Sequence, residues 1–212
     1  MHLAHRRGDD RGVTLTEMLV TVVILGVIML PLGNALIGFI RNTDDTTRRL
    51  SESHDIQLAA AYFAQDVQSV GARDWSAFPY PLRQSIEPNA AAAGGLYPCG
   101  TPGTPVAVVR LAWDDPQSAS ASPEVVRVSY VVMTDGGRRR LHRITCVGSA
   151  TPVSDLVVAH NVDTVDPVLS CSSPCTAAPA VPQSVTLTLA IRNPESPGPA
   201  VSVALTGARR QT

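Results

Sequence analysis

Arg11-Gly12-Val13-Thr14-Leu15-Thr16-Glu17-Met18-Leu19-Val20 is the stretch on which the reading of this chain turns. It opens an apolar run, Val13 to Ile40, in which 19 of 28 residues are apolar and Glu17 is the single charge. The 23 residues from Met18 to Ile40 carry no charge. As a helix rising ~1.5 Å per residue they extend about 35 Å, enough to cross a hydrocarbon core of ~30 Å. Pro31, Gly33 and Gly38 weaken a helix locally, but such residues are tolerated in membrane helices.

The flanks and the lone carboxylate decide what kind of apolar segment this is. Residues 1–12 are polar, with Arg6, Arg7 and Arg11 against Asp9 and Asp10. Arginine on the short flank favours keeping it in the cytoplasm. Arg41, Arg48 and Arg49 follow the run, mixed with Asp44 and Asp45. The expected orientation is N-terminus in, bulk of the chain exported. A cleaved secretory signal needs small residues after the apolar run; Gly33-Asn34-Ala35 offers them, but Leu36, Ile37, Phe39 and Ile40 continue the run beyond. A plain signal anchor fits length and flanks. Neither accounts for Glu17, and an ionisable residue in a membrane segment points to function.

The leader ending in Gly12, followed by an apolar helix with Glu17 as its fifth residue, resembles the class III signal of type IV prepilins and pseudopilins. Val13 stands where that family usually has Phe, and Thr16 where it usually has an aliphatic residue, departures that suit a minor pilin better than a major one. The resemblance implies that a prepilin peptidase cuts between Gly12 and Val13 on the cytoplasmic side and that the new Val13 amine is N-methylated. The helix stays, first as an anchor in membrane lipid and later in a filament core. There Glu17 of one subunit would neutralise the Val13 amine of its neighbour, since a buried charge is tolerable only when paired. The implied partners are the prepilin peptidase, other pilins or pseudopilins through the apolar helix, and an inner-membrane assembly platform.

Past Ile40, Leu50, Ile56, Ala59, Ala60, Phe63, Val67 and Val70 recur at three- and four-residue steps, the pattern of an amphipathic helix. Asp44 and Asp45 are candidates to cap a break near Arg41–Asp45, and Gly71 is a stop signal. A helix from Val13 to Val70 would be about 87 Å long. Ala72 to Pro105, rich in Pro, Ala and Gly, reads as a long loop with little regular structure. Strand-like runs follow at Val106–Trp113, Val125–Thr134, Arg140–Val147, Leu156–Val165, Val185–Ile191 and Val201–Leu205. Asp135-Gly136-Gly137 predicts a hairpin, and Pro194 to Pro199 a looser turn. The expected fold class is α+β: a long N-terminal helix, transmembrane in its first half and amphipathic in its second, packed on an antiparallel sheet. The expected organisation is a cleaved leader over 1–12, a membrane and filament-core helix over 13–40, its amphipathic continuation over 41–71, and an exported loop and sheet over 72–212. The segment Leu58 to Val67 resembles the corresponding stretch of J-type minor pseudopilins of type II secretion and of W-type minor pilins. So does the strand-turn-strand Val125–Cys146, with Leu141-His142-Arg143 opening its second strand.

Composition excludes several functions. The net charge is -1, from 17 basic and 18 acidic residues, and every basic residue is Arg. No long cationic stripe is present, which argues against a nucleic-acid binder that works by phosphate neutralisation; Arg138-Arg139-Arg140 reads as a solvated hairpin tip. The 44% apolar content excludes general disorder. Cys99, Cys146, Cys171 and Cys175 all follow the membrane segment, and an even count in an exported domain reads as two disulfides with three possible connectivities. Cys171 and Cys175 are close enough to form a local loop, which would leave Cys99 to Cys146. Their spacing lacks the paired form of a zinc site. His142 and His160 read as strand residues, and no catalytic spacing accompanies them. Asp163 and Asp166 flank Pro167 without the ligand count of a calcium cage. No cofactor and no metal are expected. The chain thus reads as a structural subunit, not an enzyme: a minor pilin or pseudopilin of a pilus or a secretion pseudopilus. The alternative is a signal-anchored cell-surface protein with a small ligand-binding β domain.

Overall fold

The computed structural model describes residues 12–115, 123–192 and 199–211. It divides into two compact units, Met1–Leu50 and Ser51–Thr212. The first consists, over its described residues, of a short non-helical start and the opening part of α1, Leu15–Ser69. Thr14 caps that helix: its hydroxyl accepts from the Glu17 N–H at 3.3 Å, and its carbonyl accepts from Glu17 and Met18. This satisfies donors that every helix start leaves open. Leu15–Asp44 has the length and composition of a membrane span, with a mean hydropathy of 2.4 and no residue buried by the rest of the chain.

The break expected near Arg41–Asp45 does not occur; α1 continues through it. No Gly or Pro interrupts 39–57. Thr43, Thr46 and Thr47 donate to carbonyls four residues back, at 2.8–2.9 Å, so their hydroxyls do not compete for the backbone N–H groups that the helix needs. The helix ends at Ser69, ahead of Gly71.

In the second unit, Ala59, Phe63, Val67 and Val70 are fully buried and form one core with two antiparallel sheets. The five-stranded sheet runs in spatial order β1 (Ile86–Ala90), β2 (Ala107–Asp114), β3 (Val125–Asp135), β4 (Arg138–Val147) and β5 (Pro152–Ala159). The three-stranded sheet is β6 (Val168–Cys171), β7 (Ser184–Ile191) and β8 (Val201–Ala208). In β7 every second side chain is buried, in keeping with the Val-Thr-Leu-Thr-Leu alternation. The β3–β4 turn is two residues, Gly136 and Gly137, both at positive φ, as a type I′ hairpin requires.

Three expectations need correction. The single sheet is two, and past the end of β5 Val162 makes an isolated bridge to Ile191 of the second sheet. The segment after α1 holds a strand, β1, whose Pro88 is tolerated because β1 is an edge. The strand expected at Leu156–Val165 lies at Pro152–Ala159, ending before Asn161 turns the chain with φ 56°; β6 was not expected. The turn expected over Pro194 to Pro199 falls almost wholly outside the described residues.

The rest of the segment expected to be a loop, residues 91–105, is held across the outer face of the five-stranded sheet. Arg110 of β2, fully buried, donates to Glu87 of β1 at 3.2 Å and to the carbonyls of Ala91 and Gly94. Glu87 in turn accepts from the backbone N–H groups of Leu96 and Tyr97. Cys99 is disulfide-bonded to Cys146 of β4.

Candidate functional site

The sequence marks out the short stretch at the start of α1. Gly12, Val13 and Thr14 precede the first helical residue, Leu15. Val13 is exposed, and the space where a Gly12 Cβ would stand is open. A bond between Gly12 and Val13 therefore lies in non-helical, accessible backbone, the state a peptidase needs. Glu17 lies in the first turn of α1, where the helix macrodipole favours a negative charge. It is also three residues after the cap, in the Thr-x-x-Glu spacing of a capping box. Thr14 is the capping residue that the sequence reading passed over, although this spacing signals it. Beyond the first turn lies the unburied apolar span, with Thr21 bonded to the Glu17 carbonyl at 2.7 Å.

The other singled-out residues all belong to the second unit. Cys99 is joined to Cys146 and Cys171 to Cys175, and no cysteine is free. His142 bonds to Asp155 at 2.8 Å and His160 to Asp55 at 2.7 Å. The Arg138–Arg140 run is engaged within the protein. Arg139 pairs with Asp166, Arg140 with Asp135, and Arg138 also has a partner. Those contacts use the same Asp163 carbonyl and Asp166 carboxylate that a calcium ion would want. Among the described residues, no group of three or more His, Cys, Asp or Glu side chains is placed to hold a metal.

Two polar clusters escaped the sequence reading. Asp66 of α1, almost fully buried, accepts from the Tyr130 hydroxyl at 2.6 Å and from the Arg143 guanidinium at 2.6 and 2.7 Å. Burial, and then the neighbouring Asp66 carboxylate, push the Tyr130 hydroxyl well above its ordinary range. Arg143 also lies over the Tyr62 ring, 5.1 Å from its centroid. Asp114 accepts from the Arg73 N–H and the Trp75 indole. Burial raises its carboxyl above the ordinary value, against those two donors. The two clusters tie α1 and the 72–83 segment to the five-stranded sheet.

The N-terminal geometry agrees with what the sequence is similar to. Residues 7–33 match the family described as the prokaryotic N-terminal methylation motif. With the apolar helix that follows, this is the pattern of a type IV prepilin-like class III signal peptide, and the helix with antiparallel sheets is consistent with a pilin-like fold. The motif supports a type IV pilin-like protein that is processed as a prepilin, assembles with other pilins and is membrane-anchored, and it indicates a structural subunit in place of an enzyme. No curated protein matches the chain.

Proposed function

We propose that this chain is a minor type IV pilin or pseudopilin, incorporated into, initiating or capping a pilus or a type II secretion pseudopilus. One observation carries the reading: Gly12 and Val13 lie in open backbone just ahead of a capped helix with Glu17 in its first turn and no partner along its apolar span. The prepilin peptidase cuts between Gly12 and Val13, and the Val13 amine is methylated. Glu17 pairs with the Val13 amine of a neighbouring subunit, which favours axially staggered packing. The N-terminus faces the cytoplasm, the helix lies in lipid until an inner-membrane platform extracts it, and the β-bearing part is exported. The two disulfides suit that oxidising side. The 172 residues past Ile40 and the fixed 91–105 segment suit a rare, specialised subunit better than a bulk one.

N-terminal sequencing of the protein from its native host tests the reading. A mature start at N-methyl-Val13 is expected. An intact Met1 would replace it with a signal-anchored surface protein, and a start at Leu36 with a secreted one. Glu17→Ala is expected to be cleaved but poorly incorporated into filaments; unchanged incorporation would remove the charge pairing.

A further inference from the structure

Asn34 lies within the 23 uncharged residues of the apolar helix, on the exposed surface of α1. The three threonines between Thr14 and Ile40 bond within the helix start: Thr14 to Thr16 and to Glu17, and Thr21 to the Glu17 carbonyl. The Asn34 amide has no partner among the described residues. In hydrocarbon a bare primary amide is costly, because nothing there replaces its hydrogen bonds to water.

Asn34 falls on a heptad seam of the helix. Stepping alternately by three and four residues gives Thr16, Val20, Val23, Val27, Leu30, Asn34 and Ile37. Val20, Val27 and Asn34 occupy one heptad position, and Thr16, Val23, Leu30 and Ile37 the other. β-Branched residues at the first, with a single Asn among them, are the arrangement by which parallel two-helix pairs fix their register. A carboxamide is both donor and acceptor, so it satisfies a copy of itself across a two-fold axis. All copies of the chain enter the membrane with the same orientation, so two of them present Asn34 at the same depth.

We propose that the apolar helix pairs in parallel with a second copy of this chain along that seam, with the two Asn34 amides bonded to each other. The pairing rests on the membrane-anchored reading above and adds a definite partner for the helix before any filament forms. In membranes, polar contacts of this kind are worth a modest but measurable amount.

The test uses the full-length chain, labelled with donor and acceptor fluorophores and reconstituted in phosphatidylcholine vesicles, with energy transfer followed as protein is diluted in lipid. The wild type is expected to self-associate. Asn34→Leu should weaken association about 3- to 30-fold, Asn34→Gln should restore most of it, and moving the amide off the seam (Asn34→Leu with Leu32→Asn) should not. A monomeric wild type, or equal association by Asn34→Leu, overturns the pairing. Cleavage by prepilin peptidase is read on the same samples. A chain that is cleaved but monomeric loses the pairing and keeps the processing. A chain that pairs but is not cleaved does the reverse.

Discussion

Asp66 shows how a single carboxylate serves the packing between helix and sheet. It is 1% exposed and receives both the Tyr130 hydroxyl and two Arg143 nitrogens. Removing one member of such a cluster leaves the others buried without a partner, which typically costs about 3–5 kcal/mol. Asp66→Ala is therefore expected to lower unfolding stability by that order in urea titrations of the full chain in detergent; a loss below about 1 kcal/mol would mean that water or a neighbouring group replaces the carboxylate. None of this was visible in sequence, because Asp66 lies 77 residues from Arg143 and looks like one more polar position on an amphipathic helix. Arg110 and Glu87 escaped notice for the same reason. By contrast, Gly12 and Glu17 were legible because their meaning is local: a fixed spacing at the edge of an apolar run.

At the level of elements, periodic stretches were read correctly and irregular ones were not. The amphipathic part of α1 from Ile56 onward and the alternating β7 announce themselves through side-chain burial every three to four or every two residues, whereas Leu50, read into the same stripe, is exposed. β1, with the sequence Ile86-Glu87-Pro88-Asn89-Ala90, carries no such pattern. It is a strand because Arg110 and the β2 backbone make it one. The expected break near Arg41 failed because aspartates only propose a cap, and nothing there interrupts the backbone bonds. The helix and β8 meet so closely that a Cβ on Gly207 would stand 2.5 Å from the Cβ of Val67. Gly207→Ala should cost about 1–3 kcal/mol through overpacking, and Val67→Gly in the same chain, which removes the Cβ it would strike, should recover part of that loss. Thermal melts of the two single variants and the double variant form the cycle that checks it; strictly additive losses would show that the two positions do not press on each other.

Across the β-bearing unit, the two disulfides have unequal standing. Cys99 and Cys146 are 47 residues apart and fasten the 91–105 segment, whereas Cys171 and Cys175 close a loop with a separation of 4. Chain-entropy reasoning assigns the longer loop about 4 kcal/mol. The double replacement Cys99→Ala/Cys146→Ala is expected to lose stability of that order and to open 91–105 to proteolysis, while Cys171→Ala/Cys175→Ala loses about 2 kcal/mol and leaves 91–105 protected. Limited proteolysis with mass mapping distinguishes them, and equal protection of 91–105 in the two variants would show that the Arg110–Glu87 contacts suffice to hold the segment.

The Thr14 cap has a bearing on geometry that its hydrogen bonds alone do not convey. Only Val13 separates the proposed cut from the capping residue, so the mature chain begins with almost no slack. The new terminal amine cannot swing away on a tether; it travels as a rigid fixture of the helix, and its position reports the helix's height to within a few ångströms, since one residue of extended chain spans only about 3.3–3.6 Å. Under the proposed pairing, neighbouring helices that met through this charge would be gauged against one another, and the end left by the proposed cut would be a fiducial mark from which every later contact along the helix is measured.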